Sequence, residues 1–217
     1  YINPLFVSGY NFRDAEQSKT QKQVDKEMYN VGGSIVRIRK ENEKWQIVHN
    51  DPYNRRITAK TPIKLNWDQP LKNKTTVIGT LANCSGGITP WNTFLTCEEN
   101  YDSFYGETKY DENNIPTKIR NYGYGWDKFY DYPPEHYGWV VEIDPKSGMA
   151  KKHIALGRFA HECCTLFQLN DKRIVAYSGD DKNDEHLYKF ISSKPNSLKE
   201  GTLYAVSYTH LRAHETS

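Results

Sequence analysis

The stretch Gly138-Trp139-Val140-Val141-Glu142-Ile143 runs into Asp144-Pro145-Lys146-Ser147-Gly148, and Met149 to Ala155 returns from it. A β-branched run of strand length, closed by a polar turn carrying Pro and Gly, predicts two strands of an antiparallel pair. The same grammar extends downstream through Cys164 to Leu169, Arg173 to Ser178, Leu187 to Ile191 and Thr202 to Ala205. Upstream it takes in Asn92 to Cys97, Arg56 to Thr58 and Trp45 to Val48. Ser34-Ile35-Val36-Arg37-Ile38-Arg39 alternates apolar and polar residues, which predicts one half-buried strand. Helical character is confined to about Asp14 to Tyr29, ended by Gly32-Gly33. The expected class is all-β. Strands grouped by three or four in units of roughly 40–50 residues favour a partial β-propeller over a sandwich or barrel. The organisation read from this is a short N-terminal helical and loop segment at 1–32, several blades of a larger propeller at 33–205, and a tail at 206–217.

Composition narrows the function. The 217 residues are 37% hydrophobic with a mean hydropathy of −0.83, and aromatics reach 13%, including 16 Tyr and 5 Trp. Few aliphatics with many aromatics suit a loop-rich β protein and argue against disorder. Lys and Arg total 29 against 27 acids, for a net charge of +2, so no strong field points to nucleic acid or an anionic membrane. No apolar run is long enough to span a bilayer. The chain starts at Tyr1, and a leader is neither present nor excluded. None of Cys84, Cys97, Cys163 and Cys164 forms a CxxC pair, which disfavours a zinc knuckle, and no disulfide is assigned.

Three short runs carry possible chemistry. Thr96-Cys97-Glu98-Glu99-Asn100 offers a thiolate and two carboxylates, a mixture of soft and hard donors suited to a mixed metal site. Read alone, it fits a buried cysteine followed by solvated acids better. His161-Glu162 follows Gly157-Arg158-Phe159-Ala160 at a strand entry, where Arg158 could grip phosphate and Glu162 a metal, or the group could be an ordinary ion pair. Ser178-Gly179-Asp180-Asp181, ahead of Asn183, Asp184, Glu185 and His186, reads as a calcium site or a solvated turn. Residues 101–136, rich in Tyr, Asp, Asn and Gly, read as a long insertion that rims a site or is merely exposed. His210 and His214 have helical zinc spacing, but they fall in the tail, which resembles translated adapter sequence and is set apart from the fold. Asn73-Lys74-Thr75 and Asn83-Cys84-Ser85 match the glycosylation pattern, which is common by chance, and neither a GxSxG elbow nor a P-loop occurs.

The order of these runs says more than any one of them. Tyr53-Asn54-Arg55-Arg56-Ile57-Thr58, Gly79-Thr80-Leu81-Ala82-Asn83-Cys84-Ser85-Gly86-Gly87, and Thr89-Pro90-Trp91-Asn92-Thr93 leading to Leu95-Thr96-Cys97-Glu98-Glu99-Asn100 resemble the PhoX-type alkaline phosphatase family. So do Gly138 to Pro145, Gly157-Arg158-Phe159 with His161-Glu162, and Tyr177-Ser178-Gly179-Asp180-Asp181 with Leu187-Tyr188-Lys189-Phe190. The likeness covers roughly residues 33–205 and marks the chain as an internal piece of such a protein. It implies a monomeric β-propeller outside the cytoplasm, periplasmic or secreted, that hydrolyses small phosphomonoesters at a cluster of ferric iron and calcium. By the same likeness Cys97 is the thiolate ligand to iron, Glu162 an iron-ligating or bridging carboxylate, and Asp181 or Asp180 a further ligand. Glu98 and Glu99 are the candidate calcium ligands, and Arg158 the candidate phosphate-binding residue. Asn92 replaces the Gly usual after Pro-Trp, and Asp68-Gln69-Pro70-Leu71 replaces a small-residue segment, so substrate access is where this chain departs. Two other readings stand beside it: a calcium-dependent propeller hydrolase of lactones or phosphotriesters, and a non-catalytic secreted propeller that binds glycan or protein through its Tyr- and Trp-rich rim.

Overall fold

The computed structural model describes residues 19–119 and 123–206. The first element, helix α1 (Gln21–Asn30), starts where Thr20 can cap it: Thr20 Oγ1 accepts from Gln23 N and Gln23 Oε1 accepts from Thr20 N at 2.9 Å, a reciprocal capping box. The helix buries Val24, Glu27 and Met28. Residues 14–18 of the expected helical stretch lie outside the described residues. The carboxylate of Glu27 is tolerated in the core because Lys19 Nζ at 2.8 Å and Trp126 Nε1 at 2.7 Å both donate to it.

The alternating run 34–39 is broken in two, contrary to the single strand expected from its pattern. Strand β1 (Gly33–Ile35) and strand β2 (Ile38–Glu41) take different partners: β3 (Lys44–Ile47) pairs with β2, and β4 (Arg55–Ile57) pairs with β1. The break sits at Arg37, whose N–H donates to Asn54 Oδ1 at 2.7 Å and whose carbonyl accepts from Val48 N. Nor is the β2–β3 hairpin half-buried; Ile38, Trp45 and Ile47 are more than half exposed.

Two larger sheets carry the rest. The six-stranded sheet runs β6 (Thr76–Ile78), β5 (Pro62–Leu65), β12 (Ala150–His153), β11 (Val140–Ile143), β8 (Phe94–Glu98), β7 (Asn83–Ile88), antiparallel throughout except for the parallel contact of β5 with β12. The β11–β12 turn is the one expected: Asp144 accepts from Lys146 N and Ser147 Oγ, and Gly148 takes φ +74°. A second sheet, β13 (Thr165–Gln168), β14 (Ile174–Gly179), β15 (Leu187–Ser192) and β16 (Gly201–Val206), is a four-stranded antiparallel meander in sequence order. The chain is therefore mostly β with little helix. Its sheets are not closed on one another, so the ring itself is an expectation that these strands do not complete. Val206 ends β16, one residue past the expected end of the β domain, and 207–217 lie outside the described residues.

The edge strands β7 and β13 lie side by side. Their approach explains Gly87, where an added Cβ would stand 2.6 Å from the Cys164 carbonyl oxygen. Leu95, Cys97, Val140, Leu156, Cys164, Ile174, Ala176 and Phe190 fill the space between the two sheets. The insertion at 101–136 has structure of its own: helix α2 (Asp102–Tyr105), the hairpin β9 (Glu107–Tyr110) with β10 (Pro116–Ile119), and an aromatic core. Phe104 meets Trp126 edge-on at 4.6 Å between centroids, and Tyr105 stacks on Tyr137 at 5.0 Å. These rings pack against each other and are not presented as a platform.

Candidate functional site

Strand alternation decides what happens to the run Cys97-Glu98-Glu99. Cys97 faces into the packing between the sheets with no exposed surface, and burial first, then the neighbouring Cys164, Cys163 and Cys84, pushes its thiol well above the usual range. Glu98 points the other way and is also fully buried. Its Oε1 accepts from Lys152 Nζ at 2.7 Å, and its Oε2 accepts from Lys152 Nζ, Gly138 N and Trp139 N at 3.0, 3.0 and 3.1 Å. That carboxylate therefore accepts four hydrogen bonds, one on Oε1 and three on Oε2, all from within the protein. Glu99 lies past the strand end, where its N–H donates to Ala82 O at 3.1 Å and its side chain leaves the alternation of β8.

Glu99 meets residues from three other segments. It lies in hydrogen-bonding reach of the Cys84 thiol and the Asp181 carboxyl, with Glu162 close by; burial first, then Asp181 and Glu162, raise its pKa against the pull of Cys84. Cys84 is likewise raised by burial first and by Glu99 and Glu162, against a hydrogen bond from the Ser85 N–H. The backbone enforces this meeting. Glu99 N on Ala82 O brings β8 to the Cys84 strand, Asp181 N donates to Ala160 O at 3.0 Å, and Glu162 N donates to Gly179 O at 3.4 Å. An isolated bridge pairs His161 with Asp180. Asp180 turns inward to accept from Ala160 N at 3.2 Å, and its pKa is raised by burial and by Glu185 and Asp181.

Of the residues proposed from sequence, the structure thus brings Glu99, Glu162 and Asp181 together and sets Cys97 and Glu98 apart from them. Cys84, which the sequence offered only as part of a longer motif, joins the group. Its signal was the Gly87 that follows three residues later, which lets β7 approach the neighbouring sheet closely enough for donors on both to meet. Among the described residues no three His, Cys, Asp or Glu side chains converge tightly enough to enclose one metal ion. In donor chemistry the group nonetheless fits cations. It is one thiol with three carboxyls, and the leading influences on Glu99 and Cys84 include no basic side chain.

Arg158 is differently employed. Its Nε donates to Tyr137 O at 2.7 Å, Nη1 to Glu107 at 2.9 Å and Nη2 to Pro134 O at 2.9 Å, with the guanidinium over the Tyr101 ring. It fastens the insertion to the sheets with all three of its nitrogens. His161 is also internal, bonded through Nδ1 to Ser178 Oγ and through Nε2 to Gly157 O.

A second buried histidine gives a pH test. Both ring nitrogens of His136 lack a well-aligned partner, and burial first, then the Lys152 charge, lowers its pKa from 6.5 to about 4. Because the folded-state value is the lower one, the unfolded chain takes up the proton first as pH falls. Stability is complete above pH 6.5 and drains away toward pH 4. We expect urea titrations to show a loss of about 3 kcal/mol from this group across that window, and His136→Met to flatten that part of the slope. A His136→Met slope equal to that of the wild type would show that the imidazole is not the group responsible.

The comparisons bear on this geometry. The family model described as alkaline phosphatase PhoX matches residues 6–215. No curated protein sequence matches the chain. Among solved structures, Pseudomonas fluorescens PhoX in complex with vanadate, a transition state analogue, is 31% identical with a TM-score of 0.73, over 86% of this chain and 38% of that one. The chain thus spans well under half the length of that relative. No helix among the described residues is long and apolar enough to cross a membrane. Matched by the family model over almost all of its length, and similar in both sequence and strand arrangement to a solved member, the chain belongs to the PhoX alkaline phosphatase family.

Proposed function

We propose that this chain is part of a metal-dependent phosphatase that hydrolyses small phosphate monoesters, and that Cys84, Glu99, Glu162 and Asp181 are its contribution to the cation cluster. The observation that carries the reading is the meeting of a thiol and three carboxyls where the two sheets adjoin. Sulfur beside oxygen donors suits iron with calcium, as the resemblance implies; carboxylates alone would suit calcium. Cations held there would neutralise the oxygens of a phosphoryl group as it transfers.

The residues of this chain would do the rest by placement. Glu99 and Asp181 come carboxyl to carboxyl from different sheets, and a bound cation would relieve the strain between them. The vanadate complex of the Pseudomonas fluorescens relative supports a site built for phosphoryl transfer. Arg158 is left out of the phosphate contacts because its donors already serve the insertion. The propeller architecture, the monomeric state and a periplasmic or secreted location belong to the same proposal and rest on the family likeness.

The test is p-nitrophenyl phosphate hydrolysis by the complete protein, before and after chelation, with metal analysis of the purified sample. Chelator-sensitive activity with iron and calcium present is the expected result. Calcium without iron would favour a calcium-only hydrolase, and the absence of any chelator-sensitive turnover would overturn the phosphatase reading.

A further inference from the structure

The Glu98–Lys152 pair is more than a satisfied buried charge. Lys152 comes from β12, is fully buried, and spends its N–H groups on Glu98 Oε1, Glu98 Oε2 and the His136 carbonyl, at 2.7, 3.0 and 2.8 Å. Its ammonium also sits 4.6 Å from the Tyr137 ring centroid. Glu98 accepts, in turn, from two consecutive main-chain N–H groups, those of Gly138 and Trp139. Its own backbone is equally engaged, since Glu98 N donates to Trp139 O at 3.1 Å and Glu98 O accepts from His161 N at 3.2 Å. The next peptide sends Glu99 N to Ala82 O. One residue therefore fixes the chain immediately before Glu99, immediately before Glu162 and, through its neighbour, two residues before Cys84.

We propose that Glu98 and Lys152 form a positioning clamp that sets the spacing of Glu99, Glu162 and Cys84 and so tunes the affinity of that group for a divalent cation. This rests on the cation-binding reading above, and assigns to a pair that touches no ligand the task of pre-arranging those that do. The physical reason is that the acids repel one another. Without a cation, a stiff backbone limits how far Glu99 and its neighbours can spread apart. A carboxylate that accepts four hydrogen bonds in a dry site is stiff in that sense. Supporting contacts around ligands are typically worth roughly 10–100-fold in metal affinity.

The double variant Glu98→Gln with Lys152→Met tests it. Gln can still accept from Gly138 N and Trp139 N, Met fills the lysine stem, and removal of both charges together is commonly tolerated in a protein interior. Calcium binding to the metal-stripped complete protein is measured by calorimetry beside thermal unfolding. A third variant, Ile63→Ala, opens the packing of Ile57, Val141 and Ile143 in the six-stranded sheet but removes none of the clamp's hydrogen bonds, and serves as the control for lost stability. The clamp predicts calcium affinity about tenfold weaker in the folded double variant and unchanged in Ile63→Ala. Wild-type affinity in the double variant overturns the clamp alone, as does an equal loss in Ile63→Ala. A wild type that binds no calcium overturns both the clamp and the cation reading. Should the double variant not fold, Glu98→Gln alone is judged by the same affinities.

Discussion

Replacing Cys84 by alanine in the complete protein is expected to lower kcat/KM for p-nitrophenyl phosphate on the order of a hundred-fold or more, with little change in melting temperature. The residue is partly exposed on an edge strand and its thiol lies among Glu99 and Glu162, so its removal takes a donor and leaves the packing alone. Cys97→Ala is the informative contrast. That thiol is enclosed by Leu95, Val140, Cys164 and Ile174, so its loss should cost about 1–2 kcal/mol of stability and leave iron content near the wild-type level. The two cysteines stand directly opposite each other in register on β7 and β8, yet the predicted consequences are of different kinds. Loss of activity and iron in Cys97→Ala, with Cys84→Ala behaving as wild type, would reverse the assignment.

The second large effect is on stability. Lys152→Met alone should cost about 3–5 kcal/mol, because it leaves the Glu98 carboxylate buried without its counter-charge. Restoring neutrality with Glu98→Gln in the same chain should recover most of that loss. The coupling between the two changes, read from a double-mutant cycle in urea, is then itself large and positive. A single variant within about 0.5 kcal/mol of wild type would mean that water reaches Glu98 and that the pair is not sealed.

The strands were legible because their signals are local. Val140 to Ile143 with Asp144-Pro145 and Gly148 specify a strand and its turn without help from the rest of the chain, and the structure has both. The break at Arg37 was not legible, since it depends on Asn54 and Val48 arriving from a different hairpin. The site was half legible for a similar reason. Alternation alone cannot say whether Cys97 or Glu98 faces the acids, because β8 ends there and Glu99 owes its direction to Ala82. Arg158 looked like a phosphate ligand for want of knowing that Glu107 and the carbonyls of Pro134 and Tyr137 would surround it. A charged residue beside a motif carries no label for which partner it will find.

The parallel contact between β5 and β12 has a kinetic side. It brings Lys64 next to Lys151, and nearly the whole of the intervening chain must be reeled in before that ladder can form. The meander β13 to β16 and the β11–β12 hairpin need only their own short turns, so they can assemble early, while the β5–β6 hairpin has to wait for a large loop to close before it can dock on β12. Refolding is therefore expected to be biphasic. Protection of amides on β11 and β14 should appear first, and β5 should close the sheet last.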